Sequence, residues 1–458
     1  MATVQVSNQP NSELKLPGKV ITPPAIKDDS SKQLLAGEHT LPASWWHSEN
    51  IFNLEKRAIF HKSWLYCIHN SRFTKPGDYF SFNVTGINFF IIKSKNTGEL
   101  KAFHNVCRHR AYPVVKKASG TSTVLTCQYH GWSYNSEGKL SKAPHFEEVK
   151  DFVKEENSLF PIPIHVTPQG LIFVNFCNSP LPFEDFFTGL TEELHEIDFQ
   201  DYEYHMSYEL HGDFNWKTLI DGYNECYHCP ISHRKLSAAF NMETYKVVPK
   251  TRYCRHYAAV VKEEEPAEEL QNEEKSGWFG FGKKEKSLPE QRQKASNTAG
   301  TSDGLWCYLY PSNGVNCYSP AWYSIRVLPH SAKKTTLQYD IYTKKGIDEA
   351  QKKEFVDFLQ LVEIEDFDLC QLTQKNLNEG IYSSGYLHPQ KENGVLFYQK
   401  LVRDMVKEHF EMEQANGGLP IDPASIQANP KNKEILELEK ICQTLDCSSG
   451  NGDSKMDW

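Results

Sequence analysis

Two short stretches place cysteine beside histidine at ligand spacing. Cys107-Arg108-His109 is followed, after 17 intervening residues, by Cys127-Gln128-Tyr129-His130. Each half offers one thiolate and one imidazole. Together they supply what a [2Fe–2S] cluster of mixed ligation needs, two thiolates for one iron and two imidazoles for the other. Both halves are expected on short loops at the ends of β-hairpins, with Gly131 where the second loop must bend closely. Structural zinc is the competing chemistry, but it usually matches a Cys pair with a His pair or a second Cys pair. Chance core residues would not be expected to produce both halves.

A second constellation lies in Asp221-Gly222-Tyr223-Asn224-Glu225-Cys226-Tyr227-His228-Cys229-Pro230-Ile231-Ser232-His233. On a continuous helix, His228 and His233 would be separated by about 500° of rotation, or roughly 140° around the cylinder, which is poor for chelation. Pro230 is predicted to break the helix and let His233 swing back. A carboxylate would complete a 2-His-1-carboxylate triad with open positions for O₂. Glu365, Asp366 and Asp368 are all candidates, and composition does not choose among them. Cys226-x-x-Cys229 alone suggests redox or zinc chemistry, but no second Cys pair lies nearby.

The elements that must position these groups are partly readable. A chain of 458 residues is too long for one ordinary core, so two domains are expected. Residues 1–40 lack periodicity and read as a flexible arm. Residues 41–170 read as a small all-β domain with a helical lead-in that belongs to the second domain. Phe80 to Ile92 is rich in β-formers, with turns at Lys95–Gly98 and Ser136–Gly138. Residues 171–412 read as a mixed sheet-and-helix domain, with a helix beginning near Asn215 and strands at Leu305–Tyr310 and Tyr318–Leu328. Two further helices are expected, over Glu349–Gln374 and around Phe397–Phe410. Phe355, Phe358, Leu359, Val362 and Leu369 fall near one face of the first. Residues 262–300 read as a mobile charged insertion, and 413–458 as an extension with a short helix near Lys433–Leu445. The fold class is α+β.

Bulk composition narrows the function classes. The formal charge of −9 argues against a nucleic-acid or membrane-surface role. No window approaches the ~20 apolar residues of a membrane span, and the first residues show no apolar signal core, so a cytoplasmic location is expected. The 12 cysteines are scattered through a large chain and do not suggest a disulfide scaffold.

Cys107-Arg108-His109-Arg110-Ala111-Tyr112-Pro113-Val114 and the stretch from Cys127 to Leu140, including Gly131-Trp132, resemble the cluster-binding loops of Rieske non-haem iron oxygenases. The resemblance implies that Cys107, His109, Cys127 and His130 ligate the [2Fe–2S] cluster. It also implies a mononuclear Fe(II) held by His228, His233 and a downstream carboxylate. Glu365-Asp366 followed by Leu369-Cys370 is similar to the choline-monooxygenase-like subgroup, which assigns that ligand to Asp366, with Asp368 as the fallback. Glu225 matches the acid that bridges cluster and iron between neighbouring subunits, and Glu rather than Asp there resembles the carnitine- and choline-type members. A catalytic domain of the helix-grip kind is implied, as are a homotrimer, a small-molecule substrate, O₂ and electrons from a separate NAD(P)H reductase or ferredoxin. The absence of a G-x-G-x-x-G fingerprint agrees with a separate reductase. Trp306, Tyr308, Tyr310, Tyr318, Trp322 and Tyr323 would suit a quaternary ammonium. Choline, oxidised to betaine aldehyde hydrate, is the first expectation; glycine betaine, carnitine or an aromatic substrate are the alternatives, and a bare electron carrier the remaining rival.

Overall fold

The computed structural model describes residues 37–261 and 304–425. Most of the arm, the insertion at 262–300 and the helix expected near Lys433–Leu445 lie outside the described residues. The stretch Phe80–Ile92 folds as a hairpin. Strand Asp78–Val84 pairs with Ile87–Lys93 through a two-residue turn at Thr85-Gly86. Both turn residues have positive φ, 51° and 91°, as a type I′ turn requires.

Side chains alternate across a strand, and Ile87–Lys93 is apolar on both faces. Phe89 and Ile91 enter the large core, whereas Phe90 and Ile92 enter a second core that also holds Cys107, Cys127, Trp132 and Tyr134. One strand therefore serves two cores. It belongs to a five-stranded antiparallel sheet with Asp78–Val84, Leu100–His104, Ser119–Thr121 and Pro161–Ile162. A small sheet of Val124–Thr126, Ser133–Asn135 and Leu140–Lys142 stands beside it. The two expected turns join strands that do pair.

The second module is a seven-stranded antiparallel sheet. Six consecutive strands run as a meander from Phe240–Pro249 to Lys334–Lys344, and Tyr202–Gly212 pairs with the last of them. The long helix Glu349–Leu377 opens with a capping box between Asp348 and Gln351. Its inward stripe runs through Phe355, Leu359, Glu363, Cys370, Gln374 and Leu377. Leu369, expected on that face, is exposed; Cys370 takes the inward position one residue later. The last helix spans Asn393–Ala415. Among the described residues no helix is long and apolar enough to cross a membrane.

Asn215 caps the helix Trp216–Tyr223, its Oδ1 accepting from Lys217 N–H at 3.0 Å. Beneath this helix lies a fully buried ion pair, Lys217 Nζ to Glu55 Oε1 at 2.7 Å. Glu55 Oε2 accepts from Trp216 Nε1 at 2.9 Å. Glu55 ends the helix Glu49–Glu55, so the lead-in segment is bolted to the second module. The expected arm also ends sooner than residue 40, because Glu38–His39 pairs with Tyr386–Leu387. Breaking a buried pair strands a charge and costs roughly 3–5 kcal/mol. Lys217→Ala is therefore expected to lower the melting temperature sharply, and Glu55→Leu combined with Lys217→Met much less; equal losses would contradict this account.

Candidate metal centres

The two Cys/His loops share one turn geometry. Cys107 N–H donates to Tyr112 O (2.9 Å) and Ala111 N–H to Cys107 O (2.9 Å); Cys127 N–H donates to Trp132 O (2.8 Å) and Gly131 N–H to Cys127 O (3.0 Å). The fourth residue after each cysteine is left-handed, Gly131 at φ 75° and Ala111 at φ 55°. The glycine is visible in the sequence. The strained alanine is not, and it costs ~1–2 kcal/mol. Only the second loop is a hairpin tip, between Val124–Thr126 and Ser133–Asn135. The first links Leu100–His104 to Ser119–Thr121, which do not pair with each other, so the expected pair of hairpin tips is corrected to one hairpin and one crossover.

Cys107 and Cys127 are buried free thiols. Tyr134 Oη lies 3.3 Å from Cys107 Sγ and accepts from Arg108 N–H at 3.0 Å. The His109 and His130 rings are 4.5 Å apart, and Trp132 stacks on His109 at 5.0 Å. His109 Nδ1 is buried with no hydrogen-bond partner. Buried thiols, a partnerless imidazole nitrogen and matched loops fit a cluster of mixed ligation. His130 is exposed.

At the second centre the helix stops at Tyr223. Glu225 takes the backbone N–H groups of Tyr227 and His228 on its own carboxylate, a side-chain competition that ends helices. Pro230 opens a new single turn, Cys229–Ser232, instead of breaking an existing one. His228 and His233 flank that turn as its two caps. Their Nε2 atoms lie 3.1 Å apart. Asp366 Oδ1 is 3.0 Å from His233 Nε2 and 3.4 Å from His228 Nε2. Perpendicular ligands on bonds of about 2.1 Å stand roughly 3.0 Å apart, so the three atoms fit one face of an octahedral ion. Asp368 points to solvent.

Each imidazole is held from behind by a second acid. Glu225 Oε1 pairs with His228 Nδ1, and Glu365 Oε2 with His233 Nδ1 at 2.8 Å. Clamping Nδ1 orients the ring and commits Nε2 to the centre. Burial would pull His228 down, but Asp366 and Glu225 outweigh it and push its pKa up to about 10. Burial would likewise raise Asp366, yet hydrogen bonds to both imidazoles hold its carboxyl below the usual range. The surroundings thus favour positive charge where a divalent cation would supply it, with release of protons. Cys229 Sγ lies 3.9 Å from His228 Nε2 but is joined to Cys226 in a disulfide.

A cavity of about 140 Å³ opens beside this triad. Of the six aromatic residues noted in the sequence, Trp306, Tyr318 and Tyr323 line it. The other three do not. Tyr308 donates to Pro311 O at 2.6 Å, Tyr310 is fully buried and Trp322 stacks on Tyr342 at 4.0 Å. Phe240, Phe355 and Glu363 also line it. Glu363 was legible in principle, since it sits three residues before Asp366 on one helix face.

These features define a class. Residues 63–153 match the Rieske [2Fe-2S] domain and residues 199–408 the ring hydroxylating alpha subunit (catalytic domain). The chain belongs to the Rieske oxygenase alpha subunits and is a Rieske non-haem iron monooxygenase. It is 28% identical over 374 residues to the carnitine monooxygenase oxygenase subunit of Acinetobacter baumannii, covering 79% of this chain and 94% of that protein. It is 25% identical over 359 residues to the chloroplastic choline monooxygenase of Arabidopsis thaliana, covering 76% and 78%. A solved quaternary ammonium Rieske monooxygenase, described in terms of carnitine oxidation and inter-subunit electron transfer, superposes with a TM-score of 0.68 at 25% identity, covering 81% and 96%.

The wild-type chain is expected to hold about three irons and two acid-labile sulfides. Asp366→Ala should bring this to about two irons with the cluster's absorption intact, Glu365→Gln should weaken iron retention roughly 10–100-fold, and Asp368→Ala should change neither. Iron and sulfide analysis decides; three irons in Asp366→Ala would refute the triad.

Proposed function

We propose that the chain is the oxygenase component of a quaternary ammonium monooxygenase, acting in the cytoplasm with a separate reductase or ferredoxin. In this reading Cys107, His109, Cys127 and His130 hold the [2Fe–2S] cluster, and His228, His233 and Asp366 hold the mononuclear iron. The observation that carries the substrate class is the wall of the cavity. Phe240, Trp306, Tyr318, Tyr323 and Phe355 bring aromatic rings to it, Glu363 brings an acid, and among the described residues no Lys or Arg lines it. Aromatic faces attract a quaternary ammonium electrostatically. Glu363 is buried between the long helix and the sheet, accepting from Tyr323 Oη at 3.0 Å and Tyr339 Oη at 2.6 Å. Burial and nearby Asp366 push it up to about 7, so a cation beside it is the partner that would favour its charged form.

The iron supplies O₂ activation when bound, fed by electrons from the cluster. The chain's own residues orient and connect. Glu225 fixes the back of His228, and exposed His130 suits a homotrimer in which it meets Glu225 of the neighbouring subunit. Choline is the first substrate to test, because its hydroxyl needs no counter-cation and the described wall provides none. Carnitine and glycine betaine are favoured instead by the relatives named above.

Oxygen-coupled product formation should appear with choline, glycine betaine or carnitine and not with simple aromatics; the reverse would favour the aromatic-substrate reading. Glu363→Gln should raise KM for the preferred ammonium by roughly tenfold or more. Binding of 3,3-dimethyl-1-butanol, an uncharged shape mimic of choline, should stay within about twofold. Equal losses for both would reduce Glu363 to a structural role.

A further inference from the structure

The cavity's far wall is one row of the seven-stranded sheet. His256 stands opposite Trp306, Trp306 opposite Asn316 and Asn316 opposite Tyr323. Cross-strand neighbours share a face of the sheet, and all four line the cavity. Tyr323 at one end carries Glu363. Along the row are two buried polar side chains left incomplete, Asn316 beside Tyr323 and His256 at the far end. Tyr245 Oη lies 2.9 Å from His256 Nδ1, and His256 Nε2 has no partner. Tyr223 Oη donates to Asn316 Oδ1 at 2.8 Å, and Asn316 Nδ2 has no partner.

A buried donor without an acceptor costs about 1–3 kcal/mol, and such groups lining a ligand cavity call for a ligand atom. Burial, then the adjacent Arg255, push the His256 pKa down to about 3, so the ring is neutral. A phenol is the natural donor to a neutral imidazole, which puts the ring proton on Nε2. Both open atoms are then N–H donors.

We propose that His256 and Asn316 are specificity-determining residues that hydrogen-bond oxygen of the substrate, hydroxyl or carboxylate, in the same cavity that takes its ammonium group. This rests on the quaternary ammonium reading above and deepens it. The row then reads both polar groups of the substrate. Tyr323 and Glu363 face the cation, and His256 and Asn316 face the oxygen. A trimethylammonium compound with a plain alkyl tail would leave both donors unpaired and bind weakly.

The test is titration calorimetry of iron-loaded enzyme with choline, glycine betaine, carnitine and propyltrimethylammonium. The oxygen-bearing compound that binds best to wild type should lose roughly tenfold in affinity with His256→Phe and with Asn316→Leu, while propyltrimethylammonium should change less than about twofold. His256→Gln, which keeps an acceptor for Tyr245 and an N–H for the ligand, should restore most of the loss. Which compound responds most distinguishes hydroxyl from carboxylate recognition. Equal weakening of all four ligands, or none, would overturn the subsite while leaving the ammonium reading standing. Failure of every compound to bind wild type would overturn both. Melting curves of each variant identify misfolding, and His256→Gln against wild type carries the comparison if His256→Phe does not fold.

Discussion

The second centre depends on holding three electron-rich atoms within hydrogen-bonding distance of one another. Two imidazole nitrogens 3.1 Å apart and a carboxylate oxygen at 3.0 and 3.4 Å form a stable arrangement only if positive charge sits among them. The protein prepares for that charge with two further acids. Glu225 and Glu365 approach from outside, each taking the Nδ1 of one histidine. The ring planes are thereby set before any cation binds. Much of the surrounding structure anchors the two segments involved. Gln374 of the long helix accepts from Asn215 N–H at 2.9 Å and Gln371 from Asp213 N–H at 2.8 Å. The helix carrying Asp366 thus grips the chain just ahead of the helix leading to both histidines.

That leading helix is secured on its other side as well. Tyr398 and Gln399, from Asn393–Ala415, converge on Asp221, with Gln399 Nε2 donating at 2.7 Å. Burial pushes Asp221 up to about 7 even against those two donors and Lys217. With Lys217 and Glu55 below, the helix is tied through polar contacts to three other helices. Polar ties of this kind are directional, which suits a segment whose last residues must point two side chains at one spot. An apolar interface would bury the same helix but tolerate rotation about its axis.

Much of this was legible in the sequence because the chemistry is local there. The Cys/His pairs, the two histidines and the strand-rich first module follow from spacing and periodicity, as does a helix start near Asn215. What was not legible depends on contacts between distant segments. Composition could not choose among Glu365, Asp366 and Asp368; helix geometry separates them, turning Asp366 to the histidine nitrogens, Glu365 to the back of one ring and Asp368 to water. Pro230 was misread for a related reason. Its effect depends on where the helix had already stopped, and the carboxylate of Glu225 stopped it first. Ala111 escaped notice because an alanine in a left-handed turn looks like any other alanine until its loop is matched to the second one.

The aromatic residues show the same limit at the scale of a sheet. Six stood close together in sequence, and pairing selected three. Trp322 and Tyr323 are neighbours on one strand and so face opposite ways; one stacks on Tyr342 in the core and the other donates to Glu363 over the cavity. Register then joined Tyr323 to residues that no local pattern would link to it, Asn316 one strand away and His256 two strands beyond that. Two of the three candidate iron ligands are written in neighbouring positions, whereas a substrate's shape is written across a sheet. The class of reaction is therefore readable from motifs, but the choice of substrate emerges only when strand register decides which side chains share a wall.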